Sequence, residues 1–227
     1  MRYFVLILSV LAAPLSATAQ GRNGLTIGAG TLGIEAIYTR NLNNYFDVVL
    51  GYSALDYNNT FTDDDGNSFT GSATIEAPRI GLQFFPLSIL NMEVGMVFGA
   101  PDLGISAHPN EDDEFQMGNH TYPISEIGYL TGDVDFQNEN APYVLLGIGR
   151  NVGGGLGLSF SIGAIQYGAP SVDLRTEDCN FSFSSLPLSD ACETLAADVE
   201  AKERQVNADL DEFELWPFAR IGLTYSF

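Results

Sequence analysis

The feature that most narrows the choice of fold is a two-residue rhythm that returns along the chain. Leu32, Ile34, Ala36 and Tyr38 alternate with Gly33, Glu35, Ile37 and Thr39. Phe46, Val48, Leu50, Tyr52 and Ala54 alternate with Asp47, Val49, Gly51 and Ser53. The pattern recurs at 78–85, 92–99 and 156–164, and again at 219–227, where Ala219, Ile221, Leu223, Tyr225 and Phe227 alternate with Arg220, Gly222, Thr224 and Ser226. Successive side chains of a strand point to opposite faces, so each stretch reads as a strand with one oily face and one polar or small face. With APYVLLGIGR (141–150), more uniformly apolar but strand-like, the count is seven.

The connections alternate as well. NLNN (41–44), PLSILN (86–91) and NVGGG (151–155) are short, whereas 57–71, 106–126 and 169–214 are long and polar. Short and long in turn describe an antiparallel meander whose two ends meet different surroundings.

The first residues are read apart from the fold. MRYFVLILSVLAAPLSATAQ has a basic start, an apolar run from Tyr3 to Ala13, and small residues at Ala17 and Ala19. This is the layout of a secretory signal peptide over 1–19, leaving a single domain over 20–227. Arg2 leaves with it and no acid does, so the net charge of −20 becomes −21. Such a chain repels nucleic acid. No later stretch reaches the roughly 18–20 apolar residues of a membrane-spanning helix.

Export makes a membrane barrel available, and the polar faces favour one. Glu35, Asp47, Arg79, Glu93 and Arg220 stand opposite the apolar residues of their strands, among Gly and Ser. Isolated charges of both signs suit a narrow interior in which they pair as an ion network. Rows of Leu, Ile, Val, Phe and Met suit lipid, with Tyr38, Phe84, Phe98, Trp216, Tyr225 and Phe227 as interfacial aromatics. Lipid forbids open sheet edges, so the sheet must close. The expected fold is all-β: an eight-stranded antiparallel transmembrane β-barrel. The eighth strand is either 21–29 or 128–136. The first is preferred because it puts every short turn on the periplasmic side; 128–136 then extends a hairpin above the membrane.

One long acidic helix is expected over 189–213 in the last large loop. Asp190 and Glu193 form a capping box, and Leu195, Val199, Val206, Leu210 and Phe213 make an apolar stripe. Cys179 and Cys192 are candidates for a disulfide in an oxidising compartment. TDDDGNSF (62–69) and NEDDEF (110–115) offer weak divalent-cation sites at most, since no Gly or Glu completes a calcium loop. His108 and His120 match no catalytic spacing. No cofactor, metal centre or catalytic residue is expected.

These residues together resemble the small outer-membrane β-barrels of Gram-negative bacteria, the outer membrane protein A-, X- and W-like families. GLTYSF matches their C-terminal assembly signal through Gly222, Tyr225 and Phe227. APYVLLGIG (141–149) is similar to their Pro-Tyr-Val-Gly-Leu-Gly strand, with Leu145 where Gly is frequent, and 31–52 is similar to their early hairpin. The acidic helix and the cysteine pair depart from the best-known members. The resemblance implies residence in the bacterial outer membrane. It implies contact with outer-membrane lipids and lipopolysaccharide, and with the barrel-assembly machinery during biogenesis. The role implied is structural or interactive, in membrane integrity or surface contact. The alternatives are a narrow channel for small or apolar solutes and a lipid A-modifying enzyme.

Overall fold

A computed structural model describes residues 21–62, 68–87, 89–108, 114–117, 120–123, 129–150, 152–177 and 188–227. The expected signal peptide at 1–19 lies outside them. In chain order come β1 (Asn23–Gly30), β2 (Gly33–Asn41), β3 (Phe46–Thr62), β4 (Ser68–Phe84), β5 (Leu90–Phe98), β6 (Asp102–His108), β7 (Glu114–Met117), β8 (His120–Pro123), β9 (Tyr129–Phe136), β10 (Asn140–Ile148), β11 (Gly155–Ile165) and β12 (Pro170–Glu177). Helix α1 (Leu188–Leu210) and β13 (Trp216–Ser226) complete it.

Eight of these strands close on themselves in the order β1, β2, β3, β4, β5, β10, β11, β13 and back to β1. Every pairing is antiparallel, and β13 meets β1 from Gly24↔Ser226 to Gly30↔Arg220. Segment 21–29 therefore supplies the eighth strand. The closing seam continues to Phe227, whose N–H donates to the Asn23 carbonyl at 2.8 Å and whose own carbonyl accepts from Asn23 at 3.0 Å. Closure leaves no barrel edge unpaired, as a strand in hydrocarbon requires.

The alternation reads out as expected. Ile27, Leu50, Val94, Leu146, Leu158 and Leu223 project outward and are exposed, while Thr26, Glu35, Val49, Glu93, Ser161 and Thr224 are buried within. Outward aromatics gather at the short-turn end, where Phe46 lies 5.3 Å from Phe84 and Tyr225 stacks on Phe227 at 6.1 Å. Trp216 departs from expectation. It turns inward and packs edge-on against Phe136 at 5.6 Å, because β13 places its even-numbered residues in the interior.

Above the barrel, five neighbouring strands carry on as a wall: the upper halves of β3 and β4, then β6, β9 and β12. Parts of the polar stretches 57–71, 106–126 and 169–214 are therefore strand, and β3 and β4 each reach 17 residues. The sidedness inverts there. The face that is oily on the barrel becomes polar, with Asp56, Thr60, Thr70, Ser72, Asp133 and Asp173, and the lumen-side face becomes apolar, with Leu55, Tyr57, Leu103, Val134 and Val172. The registers Phe98↔Asn140 and Leu103↔Val134 leave four residues (99–102) facing five (135–139), a bulge that bends the wall out of the barrel.

On the opposite side the barrel ends in the tight turn from Gly30 to Gly33, where Gly33 has φ +92° and Leu32 folds inward. Helix α1 lies along the outer edge of β12. The Asn207 carboxamide accepts from Val172 N–H at 2.7 Å and donates to the Val172 carbonyl at 3.0 Å, and Glu203 accepts from Leu174 N–H at 3.2 Å. The helix thereby covers an edge that would otherwise be open to pairing. Its stripe meets the protein through the buried Val199, while Phe213 lies beyond the helix end and is exposed.

Candidate functional site

The interior is built around two ion pairs. Arg79 on β4 holds Glu35 on β2 at 2.7 Å, and Arg220 on β13 holds Glu93 on β5 at 2.6 Å. Each carboxylate oxygen on Glu93 is engaged: Tyr143 donates its hydroxyl to Oε1 at 2.6 Å, and Gln83 Nε2 donates to Oε2 at 2.8 Å alongside Arg220. Arg79 also donates to Ser53 Oγ at 2.8 Å. The Glu93 side chain has no solvent exposure, so its charge is compensated entirely from within.

Glycines make the space. A Cβ on Gly51, directly across from Arg79, would stand 2.8 Å from its guanidinium carbon. Tyr143 crosses the interior over Gly95, its register partner, and a Cβ on Gly81 would collide with the tyrosine hydroxyl. Gly28 leaves room for Glu35, and Gly222 for Thr26.

Four of the five charges expected to share one network meet as two ion pairs, Arg79 with Glu35 and Arg220 with Glu93. Asp47 is buried in the interior and pairs with none of them, although it faces Gln83, the residue that donates to Glu93, across β3 and β4. Asn41 faces Asp47 across β2 and β3, and Glu35 faces Ser53, six residues further along. At 3.3–3.4 Å per residue that is roughly 20 Å. Asp47 accepts from Asn41 at 2.6 Å and lies 3.8 Å from Arg150, which stacks over Phe85 at 4.8 Å.

Toward the long-loop end the interior turns apolar. Leu32, Ile75, Val97, Ile165, Tyr167 and Phe218 form a buried cluster. Phe218 joins the two regions: the Arg79 guanidinium lies 5.3 Å from its ring centre, and the Tyr143 ring packs edge-on at 5.9 Å. Tyr167 donates to the Gly99 carbonyl at 3.2 Å, and burial pushes its phenol up to about 12.

Tyr143, Gln83, Phe218 and Arg150 escaped the sequence reading as site residues. Parity offered a signal for the first three, since Ala141, Tyr143 and Leu145 alternate with the outward Pro142, Val144 and Leu146, and Phe218 shares its face with Arg220. Arg150 sits in a turn, where no periodicity points. Of the assembly-signal residues, Tyr225 and Phe227 stack on the outer face and Gly222 faces inward beside Thr26. Cys179 lies outside the described residues, as do the side chains of Cys192, His108 and His120 and most of both acidic stretches. Among the described residues no cluster of three or more metal-ligating side chains occurs.

No protein-family model matches the chain, and no curated protein matches it in sequence. Among solved structures, the crystal structure of Acinetobacter baumannii CarO2 aligns with a TM-score of 0.62 at 16% identity, covering 90% of this chain and 98% of that one. The crystal structure of Acinetobacter baumannii CarO aligns with a TM-score of 0.61 at 19% identity, covering 90% of this chain and 97% of that one. What is shared is the fold, a closed eight-stranded antiparallel barrel.

Proposed function

We propose that this chain is a closed outer-membrane β-barrel whose role is structural and interactive: it sits in the lipid and presents its wall to the outer leaflet and its surroundings. The observation that carries this reading is the filled interior, with two buried ion pairs capped by an apolar cluster. A filled eight-stranded barrel has little room for a solute path. The lipid-facing rows and the sidedness switch at the base of the wall support outer-membrane residence. Gly222, Tyr225 and Phe227 support recognition by the barrel-assembly machinery and a place near the outer membrane protein A-, X- and W-like families.

The outward face of the wall would lie among lipopolysaccharide headgroups. Its carboxylates, such as Asp56, Asp133 and Asp173, would share divalent cations with lipid phosphates. The proposal includes no catalytic step and no nucleic acid. Planar-bilayer recording of the purified, refolded protein tests it: the membrane is expected to stay silent, and steady conductance would favour a narrow channel instead. Lipid A from expressing cells should keep its mass.

A further inference from the structure

The interior holds polar atoms for which the protein provides no partner. Among the described residues, Glu35 Oε1, Arg79 Nε, Gln83 Oε1 and Arg220 Nη1 are buried around the ion pairs without a hydrogen-bond partner. Toward the short-turn end the same is true of Thr39 Oγ1, Asp47 Oδ2, Asn91 Oδ1 and Arg150 Nε. All eight lie on inward-facing positions or at the short-turn rim, and they run the length of the interior below the apolar cluster. Buried donors and acceptors are rarely left orphaned, since each then bears its full desolvation penalty. These are both donors and acceptors, so their guest must be able to do both.

Charge identifies the guest. Glu35, Asp47 and Glu93 are matched by Arg79, Arg150 and Arg220, so the interior is neutral overall. The fixed charges already cancel, so they hold no resident ion, whereas water satisfies donor and acceptor alike and adds no charge. At the short-turn end Arg150 reaches solvent. The Arg150 side chain is 28% exposed while its partner Asp47 has no exposure at all. At the other end the orphaned atoms reach Phe218, where the apolar cluster begins; one further orphaned atom, Trp216 Nε1, lies beyond that ring against the cluster.

We propose that the barrel interior is a blind column of ordered water, filled past Arg150 from the short-turn end and stopped by the ring of Phe218. This rests on the reading of a closed barrel and adds where the closure lies. The two are separable by planar-bilayer recording of refolded wild type and Phe218→Ala, with folding checked by heat-modified gel mobility. The expected result is a silent wild type and discrete conducting steps in Phe218→Ala. A folded Phe218→Ala that stays silent overturns the column and leaves the closed barrel standing, whereas a conducting wild type overturns both. If Phe218→Ala does not fold, Ser161→Cys decides. Ser161 is buried at the level of Arg220, its register partner. With the stopper intact, silver ions added on the short-turn side of oriented vesicles should consume that thiol, as measured by its loss to a maleimide dye. A thiol that survives overturns the proposal.

Discussion

At the scale of single residues, Glu93 is where the chain commits most. It accepts hydrogen bonds from Tyr143, Gln83 and Arg220 and has no contact with solvent. Removing one member of a buried ion pair typically costs about 3–5 kcal/mol, mostly from the charge left behind. Arg220→Leu should therefore lower the unfolding free energy by that order in detergent-solubilised urea titrations. The double variant Arg220→Leu with Glu93→Leu should recover most of the loss. Equal losses in both would mean that the pair is not the reason Arg220 matters. Tyr167 supplies a pH test at the same scale. Its folded phenol titrates near 12, above the ordinary value of about 10. The neutral form is the favoured one, so its contribution is complete below pH 10 and is lost as pH rises through 12. Alkaline titration followed by tyrosinate absorbance should show a late step at Tyr167 that Tyr167→Phe removes.

At the scale of elements, α1 stands beside β12 where a further wall strand could have paired. Asn207 uses both ends of its carboxamide on Val172, much as a neighbouring peptide group would. Each such bond is worth about 0.5–1.5 kcal/mol net. Asn207→Leu with Glu203→Gln should loosen the helix by about 1–3 kcal/mol and leave the barrel intact. Limited proteolysis should then cut within 188–210 many-fold faster, with unchanged heat-modified mobility of the remaining barrel. Barrel unfolding in parallel would show that helix and barrel are one cooperative unit. Gly81 tests the interior from the strand side. Gly81→Val drives a side chain into the Tyr143 hydroxyl, so Tyr143 must leave Glu93. A near-ultraviolet circular dichroism change with unaltered strand content is expected, and an unperturbed tyrosine signal would contradict the crossing of the interior.

At the scale of the whole molecule, what could be read in advance followed from periodicity and what could not followed from geometry. Alternation in β2, β3, β11 and β13 exposed the strands and which face looked outward, because a closed barrel gives every strand the same two faces. It also sorted Glu35, Arg79, Glu93 and Arg220 into the interior. It could not say that Asp47 would meet Arg150 rather than join the other four, since parity gives a side and not a partner. Nor could it give the wall. The Asn-, Asp- and Thr-rich 57–71 reads as loop by composition, yet cross-strand pairs such as Thr60 with Thr70, their hydroxyls 2.8 Å apart, keep it in register. The helix was visible from its stripe, although 189–213 ran past its end at Leu210. The rest depends on which way the molecule faces its solvent. Nitroxide labels placed one at a time on Ile27, Leu158, Leu223, Thr26, Ser161 and Thr224 in lipid bilayers measure that directly, by collision with dissolved oxygen. The first three should collide freely, as groups in hydrocarbon do, and the last three should be shielded. A uniform or reversed pattern would contradict the account.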